Sequence, residues 1–207
     1  MHEQSITSFL DHLASAEPTP GGGGAAALMG AMGAGLVAMV ARVTVGKKGQ
    51  EGIQVEMQSQ IEEAEVLRAH FTTMIGADAA AFDSLMKAFK LPKDSLDAID
   101  QRAAAIQEGY KGATEVPLEC IRACLRGLAL AQRSAQTGHR NVLSDSGVAV
   151  HALHSALKSA VLNVQINVPT IKDQTFVAAA LAEVEHGIRQ ADELAHSALV
   201  LVTARLS

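Results

Sequence analysis

One carboxylate lies in the middle of the most regular apolar pattern of this sequence. Seven residues between positions 67 and 89 recur at steps of three and four: Leu67, Phe71, Met74, Asp78, Phe82, Leu85 and Phe89. This spacing places them on one stripe of a helix, and the six apolar members predict that the stripe faces the core. An ionised carboxylate there is unfavourable unless it is paired. Asp78 is therefore either a buried group held by an arginine or a helix N-terminus, or an acid–base group at the floor of a pocket.

A second group of polar residues lies in GHRNVLSDSGVAV, residues 138–150. Ser144 and Asp145 are frequent N-cap types and directly precede an apolar helical pattern. Capping alone does not explain why Asn141 and Ser146 crowd into the same segment. Further along this predicted helix, four polar residues follow at steps of four: Ser155, Ser159, Asn163 and Asn167. Such a seam can hydrogen-bond a flat heterocycle or join two helices, and the pattern alone favours the second.

Composition and short motifs exclude several classes of protein. The net charge is -5, without the basic field of a nucleic-acid-binding protein. The N-terminal MHEQSITSFLDHL lacks an apolar signal core, so a cytoplasmic protein is expected. Cys120 and Cys124 are expected to be free thiols. His151 and His154 have no third ligand nearby in sequence, so no metal site is predicted.

Proline and glycine divide the chain into helical blocks without any alternation of period two, which predicts a single all-α domain over residues 1–207. Aromatic residues make up only 3% of the chain, and its small side chains suit close helix packing. We expect a bundle of six to seven helices. Pro117 is expected to begin a new helix. The predicted helices cover residues 5–14, 20–44, 53–89, 96–114, 117–138, 145–168 and 173–204.

The glycine-rich stretch PTPGGGGAAALMGAMGAGLVAMVA, residues 18–41, has three interpretations. A phosphate-binding loop is disfavoured because neither the Gly-Lys-Ser/Thr ending nor a preceding strand is present. A membrane span fits the apolar length but rests on this segment alone. We favour the central helix of a soluble bundle, in which Gly30 and Gly33 allow close approach of a neighbouring helix or a ligand. The glycines before it leave free N–H groups that suit negative charge.

Several segments together resemble a known family. They are FLDHLASAEPTPGGGGAAALMGAMGAGLVAMVARVTVGKK, IGADAAAFDSLMKAFKLPK, AIQEGYKGATEVPLEC, NVLSDSGVAV and LNVQIN, which follow one another in this order between Phe9 and Asp173. The glycine signature joined to VGKK, together with SDSGV, is specific. The sequence is identified as a member of the formiminotetrahydrofolate cyclodeaminase and methenyltetrahydrofolate cyclohydrolase family.

The resemblance implies an all-α homodimer acting on one-carbon units of tetrahydrofolate, with no cofactor beyond the folate substrate. Cyclohydrolases open the methenyl bridge of 5,10-methenyltetrahydrofolate with water to give 10-formyltetrahydrofolate. Cyclodeaminases convert 5-formiminotetrahydrofolate to 5,10-methenyltetrahydrofolate and ammonia. Cyclohydrolase is the first expectation and cyclodeaminase the second. A non-catalytic helical dimer that kept the family fold is the alternative of another class.

The resemblance also implies roles for individual residues. Asp145 or Asp78 is expected to be the general acid–base group. The expected substrate-binding residues are Gly21, Gly22, Gly23, Gly24, Lys47, Lys48, Asp83, Asn141, Ser144, Asn163 and Asn167. Among these, the asparagines at 163 and 167 are expected to line the pterin site, and the two lysines to meet the glutamate tail, including a polyglutamate tail. Three departures from the family pattern are Gly24, where serine is frequent, Arg42, where asparagine is usual, and the pair Gly49 and Gln50, where a further lysine or an aromatic residue is common; this pair lies outside the residues that the structure describes. The glycine at position 24 favours a cyclohydrolase.

Overall fold

Six long helices account for nearly all of the structure, a computed structural model that describes residues 5–48 and 51–207. They are α1 (Ile6–Leu13), α2 (Gly22–Thr44), α3 (Gln54–Phe89), α4 (Leu96–Thr137), α5 (Leu143–Asn167) and α6 (Gln174–Leu206). Three single 3₁₀ turns, Glu51–Ile53, Arg140–Val142 and Val168–Thr170, precede or follow them. No strand occurs in the described ranges, so the predicted all-α bundle is confirmed.

The predicted break at Pro117 is wrong, because α4 continues through this proline. Proline removes the N–H that would donate to the carbonyl four residues earlier, which here belongs to Ala113. The side-chain amide of Asn167 replaces that donor, with its Nδ2 3.1 Å from the Ala113 oxygen. Since Pro117 is also buried, tertiary contacts keep the helix continuous where local sequence predicts an end.

The start of α5 also differs from the prediction. The helix begins at Leu143, and Val142 at the N-cap makes no side-chain capping hydrogen bond. Ser144 and Asp145 therefore lie within the first turn and do not cap it. The 3₁₀ turn Arg140–Val142 directly precedes α5, and the N-cap residue of this turn is His139. The helical backbone therefore starts before Ser144.

The core lies between α2, α3, α4 and α5, and α6 packs on α4 and α5. Glycines on α2 allow close approach, as we expected. A Cβ at Gly30 would lie 2.5 Å from the ring of Phe71 on α3, and one at Gly33 would lie 2.6 Å from Leu153 on α5. Helix α2 therefore packs closely against both α3 and α5. The start of α2 lies against the middle of α3 and the end of α5.

Helix α2 is the one described helix that is long and apolar enough to cross a membrane. Its most apolar window is 56% buried inside the protein, as in the central helix of a bundle. The side of α2 away from α4 is only partly covered. An apolar stripe runs along it, made of Leu28, Met32, Leu36, Met39 and Val43, of which Met32 is the most exposed at 57%.

Candidate active site

A cavity of about 410 Å³ opens where the start of α2, the middle of α3 and α4, and the end of α5 meet. Its polar lining includes Asp78, Asn163 and Asn167, and its apolar lining comes from α3, α4 and α5. The lining residues are Pro18, Thr19, Gly21, Gly22, Gly23, Asp78, Ala81, Phe82, Leu85, Met86, Tyr110, Ala113, Asn163, Ile166, Asn167 and Thr170. A pocket with broad apolar walls and a few convergent polar groups is the usual form of a small-molecule site.

Asp78 is half-buried in this cavity and contacts the N-terminus of α2. The backbone N–H of Gly24 donates to its Oδ2 at 3.2 Å, so the carboxylate caps the helix from outside. Burial raises the pKa of Asp78 above its ordinary value, while this hydrogen bond opposes the rise. A carboxyl group that is desolvated yet stays ionisable is suited to take up and return a proton.

The absence of a side chain at Gly23 makes room for the Asp78 carboxylate. A Cβ at this position would lie 2.1 Å from Asp78 Oδ1 and 2.5 Å from Cγ, well inside van der Waals contact. The next glycine back, Gly22, faces Asn163, whose Oδ1 would lie 3.5 Å from a Cβ added there. Two consecutive glycines thus bring the backbone against a carboxylate and an amide, and both polar groups line the same cavity.

Gly24 has a different role from the three glycines before it. It donates its N–H to Asp78 but does not line the cavity. A Cβ there would meet Pro20 at 3.4 Å and Ile75 at 4.0 Å. The hydroxyl that a serine would supply at this position would therefore start from a Cβ that faces the protein interior.

The structure divides the predicted site residues between two ends of the bundle. Gly21, Gly22 and Gly23 meet Asp78, Asn163 and Asn167 at the cavity. The other group consists of Lys47, Lys48, Asn141, Ser144 and Asp145. It lies near the C-terminal end of α2, where the His139 N–H donates to Thr44 Oγ1 at 2.9 Å. Thr44 is roughly 32 Å from Gly23 at 1.5 Å per residue along α2.

Asp145 and Asp78 therefore cannot share one cavity within a single chain. Asp145 is in the first turn of α5, roughly 27 Å along the helix from Asn163. Asp83 is also outside the cavity and exposed, because five residues turn an α-helix about 140° from Asp78. Arg42 lies near the distant end, where it pairs with Glu65 of α3 at 2.9 Å.

Sequence reasoning missed several lining residues. Three of them lie on the same face of α3 as Asp78: Ala81, Leu85 and Met86. Of these three, only Leu85 belonged to the predicted apolar stripe. Tyr110 is the single tyrosine of the chain, and its ring makes an edge-to-face contact with Phe89. The signal that could have identified Met86 was its spacing of eight residues from Asp78, which returns to the same helix face.

Comparison with known proteins decides the family. The family model described as "Formiminotransferase-cyclodeaminase" matches residues 5–186. The chain belongs to this family. The family membership expected from the glycine signature and SDSGV is thereby confirmed.

Members of the formiminotransferase-cyclodeaminase family resemble the chain along its whole length. A methenyltetrahydrofolate cyclohydrolase of Methylorubrum extorquens is 46% identical over 92% of this chain and 92% of its own. A formimidoyltransferase-cyclodeaminase of Sus scrofa is 34% identical, and the match covers 97% of this chain but 37% of that longer protein. The crystal structure of formiminotetrahydrofolate cyclodeaminase from Thermotoga maritima matches with a TM-score of 0.89 at 30% identity, covering 98% of this chain and 97% of its own.

Proposed function

We propose that this chain is a methenyltetrahydrofolate cyclohydrolase, which hydrolyses 5,10-methenyltetrahydrofolate to 10-formyltetrahydrofolate. The observation that carries the proposal is the half-buried Asp78 in a largely apolar cavity of suitable size for a pterin ring. The relative from Methylorubrum extorquens supports this choice, because its match extends over nearly the full length of both chains.

In the proposed reaction, Asp78 is the single proton-transfer group. The ionised carboxylate accepts a proton as water attacks the methenyl carbon, and a tetrahedral carbon forms between N5 and N10. Asp78 then returns this proton to N5 while the bond between carbon and N5 breaks. The remaining hydroxyl proton leaves to solvent as the formyl C=O forms on N10. One water is consumed and one proton is released, so atoms and charge balance.

The surroundings of Asp78 suit both halves of this cycle. The methenyl substrate is a cation, and a carboxylate in a poorly solvated cavity attracts it more strongly than one in water. Burial raises the pKa of Asp78 and favours its protonated form, whereas the Gly24 N–H favours the ionised form. The raised pKa means that Asp78 holds a proton more readily than a solvated aspartate, which suits a group that accepts a proton and then returns it.

Formiminotetrahydrofolate cyclodeaminase is the second candidate. The same carboxylate could move protons during attack of N10 and loss of ammonia, and the structural relative from Thermotoga maritima carries that name. A Cβ at Gly24 would face Pro20 and Ile75, and Gly24 is not among the residues that line the cavity, so the choice between the two activities rests on the parallel assay.

The experiment that tests the proposal is a parallel assay of the purified chain with 5,10-methenyl- and 5-formiminotetrahydrofolate, following methenyl absorbance. We expect the methenyl absorbance to decay faster than in buffer alone and no enzymatic rise with the formimino substrate. A rise with the formimino substrate alone would favour the cyclodeaminase. A folded protein that turns over neither would support a non-catalytic helical dimer.

The apolar surface of α2 and α5 supports the homodimer implied by the resemblance. Besides the α2 stripe, neighbouring α5 carries three exposed apolar residues, Val148, Leu162 and Ile166, which are 53%, 66% and 74% exposed. Large exposed apolar residues on two adjacent helices are typical of an oligomer interface. Ile166 also lines the cavity, so a second copy docked here would lie beside the site.

Met32→Glu is therefore expected to convert a dimer into a monomer. A charge at the centre of the α2 stripe would be buried without a partner in the dimer, but it is solvated in the monomer. Light scattering after size-exclusion chromatography measures the mass directly. Val66→Glu is the matched control, because Val66 is 70% exposed on α3, away from this face. An unchanged dimer with Met32→Glu would place the interface elsewhere.

A further inference from the structure

Two asparagine side chains on α5 are held by carbonyl groups that can only accept hydrogen bonds. Asn163 Nδ2 donates to the Ser159 carbonyl at 2.9 Å, and Asn167 Nδ2 donates to the Ala113 carbonyl at 3.1 Å. Because a carbonyl oxygen has no proton to give, each amide must direct its NH₂ group toward its partner. The orientation of both amides follows from this chemistry, and each Oδ1 is left on the opposite side.

Both amide oxygens remain available at the cavity. In the described parts of the chain, no donor hydrogen-bonds Asn163 Oδ1 or Asn167 Oδ1, and both residues line the cavity. Asn163 Oδ1 lies on the side of Gly22. The two residues are one helical turn apart, so their side chains are neighbours on the same face. Each Nδ2 spends one of its two hydrogens on its carbonyl partner, and the wall presents two unpaired acceptor oxygens to the cavity.

The hydrogen bond from Asn167 to the Ala113 carbonyl depends on the absence of a backbone N–H at Pro117 in α4. The Ala113 carbonyl would accept the N–H of residue 117 in a regular helix, but Pro117 has none. The vacancy in the helical hydrogen-bonding pattern is what makes this carbonyl available to Asn167. Pro117 is buried in α4 and is not among the residues that line the cavity.

We propose that Asn163 and Asn167 form an acceptor wall that binds the N–H donor edge of the pterin pyrimidine ring, and that Pro117 is the positioning residue for this wall. The proposal rests on the proposed folate function. The ring edge formed by N3–H and the 2-amino group presents adjacent donors, which match two acceptor oxygens. A ring with oxygen in place of the 2-amino group lacks one of these donors and would leave one acceptor oxygen of the wall unpaired.

Binding of 5-formyltetrahydrofolate, a stable reduced folate, tests the wall by calorimetry. Removing one acceptor in Asn167→Ala is expected to weaken binding roughly tenfold, as loss of a hydrogen bond to a buried polar group does. Pro117→Ala restores the backbone N–H, which competes for the Ala113 carbonyl and releases Asn167. We expect a similar loss of affinity in this variant together with a higher melting temperature, because alanine is far better than proline inside a helix.

Kinetics separate positioning from a general structural effect. With 5,10-methenyltetrahydrofolate, Pro117→Ala should raise KM roughly as much as it weakens binding and leave kcat within about twofold, since the pyrimidine edge is remote from the reacting carbon. Pro92→Ala is the control, because Pro92 lies exposed in the loop between α3 and α4. Its affinity and KM should equal those of the unmodified protein.

Several results would overturn the proposal. If the unmodified protein binds and turns over the folate while Pro117→Ala and Asn167→Ala keep full affinity, the acceptor wall is wrong and the folate function stands. Equal affinity of the unmodified protein for pterins with a 2-amino and a 2-oxo group would also exclude it. If the unmodified protein neither binds nor turns over any folate, the proposed function fails and the wall fails with it.

Discussion

Replacing Asp78 with asparagine is expected to lower kcat for methenyltetrahydrofolate by roughly 10²–10⁴-fold, the usual effect of losing a general acid–base group. The amide keeps an oxygen that can accept the Gly24 N–H, so the cap on α2 is preserved. It cannot take a proton from water or return one to N5. The rate is measured from the decay of methenyl absorbance, and a variant with full rate would exclude Asp78 as the proton-transfer group.

The same variant has a predictable pH dependence of stability. Burial raises the pKa of Asp78 in the folded state, so the folded protein favours the protonated form. The resulting contribution to stability is present below the unfolded pKa and is lost as pH rises through the folded pKa. The amide that replaces this carboxyl group in the variant does not ionise. The melting temperature of Asp78→Asn relative to the unmodified protein should therefore increase from acid to neutral pH.

Asp145→Asn is the natural comparison for this prediction. The sequence offered Asp145 and Asp78 as equal candidates, but the structure puts Asp145 at the opposite end of α5 from the cavity. On this geometry, Asp145→Asn should keep most of the activity. A loss as large as that of Asp78→Asn would require the two ends of the bundle to meet, which only a second copy could achieve.

Gly23→Ala is expected to reduce activity as strongly as removal of the carboxylate, by about 10²-fold or more, because a misplaced catalytic group loses most of its effect. The new Cβ would lie 2.1 Å from Asp78 Oδ1, so the carboxylate must leave its position. The Gly24 N–H would then lose its acceptor. Steady-state kinetics should show the loss chiefly in kcat.

Gly76→Ala is the matched control for this substitution. Gly76 lies on α3 only two residues before Asp78, and a Cβ there would meet nothing within 4 Å. Alanine in a helix interior is more stable than glycine by about 1 kcal/mol. The control should therefore be at least as stable as the unmodified protein and fully active. If Gly23→Ala is equally active, the close contact between α2 and the carboxylate does not matter for catalysis.

The sequence placed Asp78 on the inward face of its helix and presented two interpretations of it as alternatives. The structure unites them, because the carboxylate caps a helix N-terminus and also lines the cavity. The glycines at 30 and 33 were likewise recognised as points of close approach. The positions of Asp78, Gly30 and Gly33 could be predicted because they rest on periodicity and residue type, which are local properties that a sequence carries directly.

Periodicity and residue type could not predict that the polar site residues lie at two opposite ends of the bundle. Asp145, Asn163 and Asn167 belong to one helix, and spacing gives their distance along it but not which end meets α2 and α3. The continuous α4 was missed for a related reason. Local propensity predicts a break at Pro117, and the compensating donor comes from Asn167, which is 50 residues away in the sequence.

Folate chemistry at the cavity around Asp78 can be tested by a crystal structure with 5-formyltetrahydrofolate bound. We expect the pterin ring between the walls of α3, α4 and α5, with its N5 side within hydrogen-bonding reach of the Asp78 carboxylate and its pyrimidine edge on Asn163 and Asn167. A pterin ring bound instead beside Lys47, Asn141 and Asp145, with this cavity unoccupied, would show that the chemistry takes place at the other end of the bundle.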